Sequence, residues 1–121
     1  DKAGEAKIDA NGKLLDGREF DFPVFTLPTR HPTRLYAMSI TIARLLGYRD
    51  SNHLFVANSA LRRIPSTQEE RDRLVDQGLV RTRLRQRPIN IISTRALFRH
   101  FGHTILKRGR RVHDDYYCTG E

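Results

Sequence analysis

Arginine occupies every second position of the segment VRTRLRQR, residues 80–87. In a β-strand, alternate side chains point to one face, so this spacing would place four guanidinium groups side by side. A guanidinium group binds carboxylate or phosphate through two parallel hydrogen bonds. Three alternatives follow: an edge strand that charge protects from unwanted pairing, a contact with nucleic-acid phosphates, or a contact with an acidic protein surface. No aromatic residue alternates with the arginines, which disfavours stacking on single-stranded nucleic acid.

These arginines belong to a longer basic tract, residues 78–113. The chain has a formal charge of +8, and the tract contains ten Lys or Arg residues and no Asp or Glu. Its cations are Arg81, Arg83, Arg85, Arg87, Arg95, Arg99, Lys107, Arg108, Arg110 and Arg111. Because arginine suits bidentate contacts with anions, we predict that these side chains contact an acidic partner or nucleic acid. Composition does not choose between the two.

No catalytic, metal-binding or cofactor-binding pattern accompanies the basic tract. His100 and His103 are three residues apart, but the sequence has no HExxH motif and no second ligand pair. Gly102 and Gly109 do not belong to a strand–loop–helix phosphate-binding motif. Cys118 has no arrangement of His or Asn around it that would activate a thiolate. We therefore predict no enzymatic activity, no cofactor and no small-molecule substrate.

The length and composition predict a single globular domain over residues 1–121. Hydrophobic residues make up 38% of the chain, which is typical of a folded domain rather than a disordered one. No apolar run approaches the roughly 20 residues of a membrane span, and the N-terminus does not resemble a signal peptide. A lone cysteine forms no internal disulfide and fits a reducing compartment. Because the sequence begins at Asp1 without Met, we expect a fragment of a longer subunit.

The N-terminal third predicts a small antiparallel sheet. Two turn dipeptides, Asn11-Gly12 and Asp16-Gly17, tolerate the positive φ of hairpin turns and predict a meander of three short strands. Apolar and polar residues alternate over 20–24, as in a half-buried strand, and Pro23 places this strand at an edge. The two prolines within residues 28–34 predict a loop.

Capping signals predict about three short helices. They are a helix from Ser39 to Leu46 ended by Gly47, a helix over 66–77 with a Ser66–Glu69 capping box, and a helix over 94–101 capped by Ser93 and ended by Gly102. The second of these is charged over most of its surface, which predicts a helix that packs one side on the core and exposes the rest to solvent.

Short strands are predicted over residues 53–57, 89–92 and 104–107, in addition to residues 80–87. Gly109 lies between two arginines and predicts a tight turn, after which Asp114 and Asp115 would pair with Arg110 or Arg111. The predicted fold class is therefore α+β, with a small antiparallel sheet that includes the N-terminal meander and about three short helices.

Three segments of the chain resemble the domain shared by accessory subunits of the fungal RSC and SWI/SNF chromatin-remodelling complexes. This is the family of the seventh-named RSC subunit and its SWI/SNF paralogue. The segments are DGREFDFPVFTLPTR at 16–30, LYAMSITIARLLGYRDS at 35–51 and STRALFRHFGHTILKRGRRVHDDYY at 93–117. The pieces that carry the resemblance are Gly17-Arg18-Glu19-Phe20, Ala43-Arg44 with Gly47-x-Arg49-Asp50-Ser51, and Gly109-Arg110-Arg111-Val112-x-Asp114-Asp115-Tyr116.

The resemblance implies a nuclear, non-catalytic subunit that helps to assemble an ATP-dependent remodeller and assists its engagement with nucleosomes. ATP hydrolysis would belong to another subunit. The partners would be other subunits of the complex, with direct contact to the nucleosome or DNA secondary and no role at a membrane.

The chain has more aromatic residues than three short helices readily bury, so we predict that some form a subunit interface. The candidates are Phe20, Phe22, Phe25, Tyr116 and Tyr117. The alternative is a DNA-binding domain that uses the basic tract.

Overall fold

The computed structural model describes residues 2–111 and 113–117. The strands are β1 (Phe25–Leu27), β2 (His31–Met38), β3 (Ile64–Pro65) and β4 (Asn90–Ser93). The α-helices are α1 (Lys2–Glu5), α2 (Ser39–Leu45), α3 (Ser51–Ala57), α4 (Gln68–Asp76) and α5 (Thr94–Phe101). Two short 3₁₀ helices cover Thr82–Leu84 and Gly102–Ile105. The predicted α+β class is confirmed, with five α-helices in the described part of the chain in place of about three.

The four strands form one antiparallel sheet in the order β1-β2-β4-β3. Tyr36 of β2 pairs with Phe25 on one side and with Ser93 on the other. Ile91 of β4 pairs with Ile64 of β3. The strand predicted over 89–92 is thus confirmed as β4, which lies between β2 and β3.

The two predicted N-terminal turns are present. Gly12 has a φ of 88° in the turn that joins the bridged residues Ile8 and Leu14. Asp16 and Gly17 have φ values of 57° and 74°, the positive values that this dipeptide tolerates. The segment before β1 nevertheless contains isolated bridges rather than strands.

The predicted meander of three strands is therefore wrong. Phe20 bridges Leu106 near the other end of the chain instead of pairing with the preceding segment. Beside this bridge, the Lys107 backbone N–H donates to the Glu19 carbonyl at 2.9 Å. The C-terminal segment thus supplies the backbone partners that a third meander strand would have used. It does so as a single bridge, because the strand predicted over 104–107 is largely replaced by a 3₁₀ helix.

The strand predicted over 53–57 is also wrong, because this segment is part of helix α3. The Asp50 side chain accepts a hydrogen bond from the His53 backbone N–H at 2.8 Å, which caps the helix. The helix buries the neighbouring side chains Leu54 and Phe55. This N-terminal cap outweighs the strand preference of the apolar run that follows it.

The prediction of a loop over 28–34 is also corrected, because strand β2 begins within this segment, at His31. Proline lacks a backbone donor and is poorly tolerated inside a sheet. Pro32 is accommodated because β2 pairs with β4 only from Tyr36 onward. The missing N–H of Pro32 therefore removes no hydrogen bond between β2 and β4.

The arginine-rich segment 80–87 is not a strand; a 3₁₀ helix interrupts it. The Arg85 guanidinium donates to Asp72 at 3.1 Å and to Asp76 at 3.2 Å, both on α4. The Arg71 guanidinium of α4 donates in return to the Arg85 carbonyl at 3.0 Å. These contacts with α4 replace the sheet pairing that the alternating pattern predicted.

The helices that carry capping signals are confirmed, with shifts at their starts. In α4 the capping box is formed by Thr67 and Glu70 rather than Ser66 and Glu69, one residue later than predicted. In α5 the predicted cap is correct, since the Ser93 side chain accepts from the Ala96 N–H at 3.2 Å. α2 begins at Ser39, so this serine is its first residue and not its cap.

The sheet separates two hydrophobic clusters, because alternate side chains of β2 and β4 enter different ones. Tyr36, Met38 and Ile91 belong to the smaller cluster, together with Leu74 of α4. Ala37 and Ile92 belong to the larger cluster. The larger cluster also includes Ile8, Leu14, Ile42, Ala43, Leu54, Phe55, Leu97, Phe98, Ile105, Leu106 and Tyr116. Helices α2, α3 and α5 and both ends of the described chain thus pack around one core.

A bidentate ion pair ties α4 to the turn between β1 and β2. The Arg30 guanidinium donates from Nε to Glu70 Oε2 at 2.9 Å and from Nη2 to Glu70 Oε1 at 2.8 Å. The Glu70 side chain is only 4% exposed. Burial raises the pKa of Glu70, but hydrogen bonds from Arg30 and Thr67 outweigh it, so the pKa lies below its usual 4.5.

A second buried ion pair joins the two ends of the described chain. Arg18 Nε donates to Asp114 Oδ1 at 2.9 Å, and the two side chains are 12% and 9% exposed. Arg18 also donates to the carbonyls of Leu15 and His113 at 3.2 Å each. Asp114 Oδ2 accepts from the Arg110 backbone N–H at 2.6 Å. The charges of both groups are thereby compensated away from water.

We predict that Arg18→Ala lowers the free energy of unfolding by about 3 kcal/mol, because it leaves the buried Asp114 carboxylate without its guanidinium partner. Urea denaturation at neutral pH measures this loss. Lys107→Ala is the control, since Lys107 forms an exposed ion pair with Glu19 at 3.7 Å and should change stability by about 0.5 kcal/mol or less. Equal effects of the two changes would contradict a structural role for the Arg18–Asp114 pair.

A pH dependence follows from the lowered pKa of Glu70. A carboxyl group with a depressed folded-state pKa stabilises the fold above its unfolded value, here 4.5, and this contribution is lost as the pH falls through the folded value. Glu70→Gln should therefore reduce stability at pH 7 by about 1–2 kcal/mol and flatten its decline below pH 4.5. Thermal unfolding across pH tests this, with the exposed Glu69→Gln as control. An unchanged acid slope in Glu70→Gln would refute it.

Candidate interaction surfaces

The arginines of residues 80–87 do not form a common face. Arg81, Arg83 and Arg87 are exposed, and none of them forms an ion pair with a residue in the described part of the chain. Arg85 differs, because it is half-buried against the two aspartates of α4. The predicted row of four guanidinium groups is therefore reduced to three separate exposed cations.

The two arginines of α5 are engaged in contacts within the chain. Arg95 forms an ion pair with Glu5 and donates to the Asp9 carbonyl at 3.2 Å. Arg99 donates to the Tyr117 hydroxyl at 3.2 Å, and its guanidinium carbon lies 5.2 Å from the centre of the Tyr116 ring. Tyr116 and Tyr117 thus keep Arg99 in place, which favours a fixed direction for its remaining donors.

The four cations from Lys107 to Arg111 are exposed around the predicted turn at Gly109. Arg108 has a φ of 53°, and a Cβ atom at Gly109 would lie 2.1 Å from the His103 carbonyl oxygen. Only glycine therefore allows this close approach of the two backbone segments.

The predicted pairing of the Asp114 and Asp115 side chains with the Arg110 or Arg111 side chains is wrong. Asp114 accepts from the Arg110 backbone, and its side-chain partners are Arg18 and the neighbouring His113. Asp115 Oδ1 accepts from the His103 backbone N–H at 2.7 Å and lies 2.7 Å from His103 Nδ1. The guanidinium groups of Arg110 and Arg111 thus remain available for a partner.

Two of the predicted interface aromatics form a half-buried pair. The ring centres of Phe20 and Phe22 are 5.1 Å apart. Together with Leu14, Val24 and Leu35 they line an open groove of about 300 Å³. Charged residues also line this groove, namely Lys13, Arg18, Glu19 and Lys107. Apolar residues with charged residues beside them match the general anatomy of protein interfaces.

Phe25 and Tyr116, which we predicted at an interface, are instead buried within the domain, with exposed fractions of 6% and 4%. The Tyr116 hydroxyl donates to Glu5 Oε2 at 2.5 Å, and its ring packs edge-to-face on Phe98 with centres 6.3 Å apart. Tyr117 is 44% exposed. Among the five predicted aromatics, Phe20, Phe22 and Tyr117 are therefore the ones that a partner can reach.

Two cationic grooves were missed by the sequence patterns. The first has a volume of about 430 Å³ and is called here the four-arginine groove. Its cationic lining consists of Arg34, Arg62, Arg95 and Arg99. The second, of about 420 Å³, lies between α2, α3 and the segment before β4, and its cationic lining consists of Arg44, Arg49 and Arg87. Arg34 and Arg62 lie outside the basic tract, so no local pattern connects them with α5.

Other kinds of site receive no support in the described part of the chain. Within residues 2–111 and 113–117, no group of three or more His, Cys, Asp or Glu residues could hold a metal ion. No helix in these ranges is both long and apolar enough to cross a membrane. Cys118, considered above as a possible nucleophile, lies outside the described residues.

The fold and its surfaces thus define an α+β domain with a half-buried aromatic pair at its surface and two cationic grooves. Comparison with known families is more specific: the chain belongs to the family described as the chromatin remodelling complex Rsc7/Swp82 subunit, whose model matches residues 1–120. The resemblance inferred from the sequence segments is therefore confirmed. No solved structure matches the chain.

Several curated relatives are subunits of remodelling complexes by name. The chain is 36% identical over 119 residues to the chromatin structure-remodeling complex subunit RSC7 of Saccharomyces cerevisiae, over 98% of the chain and 27% of that relative. It is 37% identical over 117 residues to subunit rsc7 of Schizosaccharomyces pombe, over 97% of the chain and 30% of the relative. It is 38% identical over 109 residues to the SWI/SNF global transcription activator complex subunit snf59 of the same yeast, over 90% of the chain and 21% of the relative. The chain thus spans less than a third of each relative.

Proposed function

We propose that this chain is a non-catalytic docking domain in a subunit of an ATP-dependent chromatin-remodelling complex, and that it acts in the nucleus. It would support assembly of the complex and its engagement with nucleosomes. Membership of the Rsc7/Swp82 family supports the class of assembly. The names of the relatives, which are subunits of RSC and SWI/SNF complexes, support the same conclusion.

The observation that carries the docking role is the half-buried pair of Phe20 and Phe22 at the surface of the larger core. An aromatic side chain with an accessible edge is a typical interface anchor when the backbone beneath it is rigid. Phe20 is held by its bridge to Leu106. Arg18, two residues before Phe20, is fixed by its buried ion pair with Asp114. The aromatic pair is thus presented on a preorganised backbone, which reduces the entropy that binding would cost.

Phe22→Ala in the natural full-length protein should weaken its retention in the native complex. Loss of a central aromatic anchor costs roughly 2 kcal/mol or more of binding free energy, because the partner pocket is left unfilled. Affinity purification through another subunit, followed by quantitative mass spectrometry under increasing salt washes, measures the stoichiometry of the variant.

Val56→Ala is the matched control, because Val56 is 68% exposed on α3 and lies outside the groove that Phe20 and Phe22 line. This variant should remain stoichiometric. A thermal unfolding curve of each variant separates loss of binding from loss of fold. Normal stoichiometry of a folded Phe22→Ala variant would exclude this surface as the docking site.

Direct DNA binding is a second candidate, supported by exposed cations of the basic tract that form no ion pair within residues 2–111 and 113–117. These are Arg81, Arg83, Arg87, Arg108, Arg110 and Arg111. They lie in two separate segments, and Arg85, Arg95 and Arg99 are engaged within the chain. We therefore favour docking on protein over recognition of a duplex.

Duplex binding by the full-length protein should be weak and strongly dependent on salt. At about 0.15 M salt we expect a dissociation constant no tighter than the roughly 10⁻⁴ M of non-specific association. Fluorescence anisotropy with a labelled duplex across a salt series measures it. If the dissociation constant is micromolar or tighter, and Arg110→Glu with Arg111→Glu abolishes binding, DNA binding becomes the favoured function.

A further inference from the structure

The four-arginine groove gathers its cations from three distant parts of the chain. Arg34 belongs to β2, Arg62 precedes β3, and Arg95 and Arg99 lie one turn apart on α5. None of the residues that line the groove is an Asp or Glu. Like charges that the fold brings together without lining carboxylates create a field that attracts an anion.

Two of the four guanidinium groups have no partner among the residues that the structure describes. The side chains of Arg34 and Arg62 make no ion pair or hydrogen bond with any residue in the described ranges, and both residues are exposed. Arg95 is half-buried and pairs with Glu5, whereas Arg99 is held by the tyrosine pair. The groove therefore combines two anchored cations with two adaptable ones, and the single carboxylate of Glu5 leaves most of their charge uncompensated.

The remaining lining is mostly apolar and lies at the end of the sheet. β3 pairs with β4 only through Ile64↔Ile91 and Pro65↔Asn90, so Ile64 is the last paired residue of β3 and lies partly exposed in the groove, whereas Ile92 is buried in the larger core. Ala96 of α5 and Ala10 complete this small apolar lining. A ligand that fits the groove must therefore offer negative charge and small apolar groups together.

We propose that the four-arginine groove binds an extended acidic segment of a partner protein in which carboxylates alternate with apolar residues. In an extended chain, alternate side chains point to opposite sides, so carboxylates can reach Arg34 and Arg62 while the apolar residues face Ile64 and Ala96. The charge of the groove complements such a segment. This surface is separate from the Phe20–Phe22 pair, and its proposal does not depend on membership of a remodelling complex.

A protein ligand is favoured over nucleic acid by what lines the groove. Its only aromatic residue, Tyr36, is 2% exposed, so the groove offers no platform on which a base could stack. A phosphate backbone would contact the arginines and leave the apolar lining in contact with water. An acidic and apolar peptide satisfies both parts of the surface.

The test uses the full-length protein and a fluorescently labelled peptide of alternating glutamate and valine, in anisotropy measurements at about 0.15 M salt. Arg34→Glu with Arg62→Glu should weaken peptide binding roughly tenfold or more, because charge reversal adds repulsion to the lost attraction. Arg34→Gln with Arg62→Gln should give a smaller loss. The same peptide with glutamine in place of glutamate should bind weakly to every variant.

Lys2→Glu with Arg73→Glu is the matched control, because it makes the same change in net charge at two exposed residues outside the groove and outside the basic tract. This control should retain peptide binding to within about twofold. The proposal is overturned if the control loses as much affinity as the groove variant, or if the peptide does not bind. It is also overturned if a labelled duplex or single-stranded oligonucleotide binds through Arg34 and Arg62 and the peptide does not. Failure of the subunit to enter a remodelling complex would leave these results unchanged.

Discussion

The buried ion pair between Arg18 and Asp114 is the constraint on which the arrangement of the chain ends depends. A carboxylate that is 9% exposed needs a cation and hydrogen-bond donors, and here they come from Arg18 and from the Arg110 backbone. The pair therefore fixes the C-terminal segment against the N-terminal loops. Because that segment is fixed, Tyr116 can enter the larger core, where its ring packs on Phe98 of α5 and its hydroxyl group donates to Glu5 of α1. Two of the segments that carry the family resemblance thus meet in one structural contact.

The same requirement for compensation divides the arginines into two groups. Arg18, Arg30, Arg85 and Arg95 pair with carboxylates and connect parts of the fold that are distant in sequence. Others, including Arg34, Arg62, Arg81 and Arg83, make no ion pair with the described residues. The net charge of +8 is therefore a poor guide to the binding surface. The position of the free cations on the fold is a better guide, because neighbouring carboxylates cancel the field of the paired ones.

The features that were predictable from sequence are those with local causes. The serine cap of α5, the glycine after it and the strand that became β4 each follow from a few adjacent residues. The family resemblance was also predictable, since it depends on ordered motifs. The errors at residues 53–57 and 80–87 arose where a strand-like residue pattern competed with a specific polar contact. At residues 53–57 the competing contact is local, because Asp50 caps the helix that it precedes. At residues 80–87 Arg85 turns toward the aspartates of α4, and periodicity cannot identify this contact because the partners lie on another element.

The cationic groove could not be predicted from any local pattern, because sheet topology creates it. β4 lies between β2 and β3, so a residue of β2 and a residue just before β3 approach the same end of β4. Arg34 and Arg62 occupy those positions, and α5 begins directly after β4. Since β3 is only two residues long, it leaves the end of β4 uncovered beside these cations. A longer β3 would pair with Ile92 and Ser93 and fill the same space. The shortness of this edge strand is thus what converts separate arginines into one concave surface.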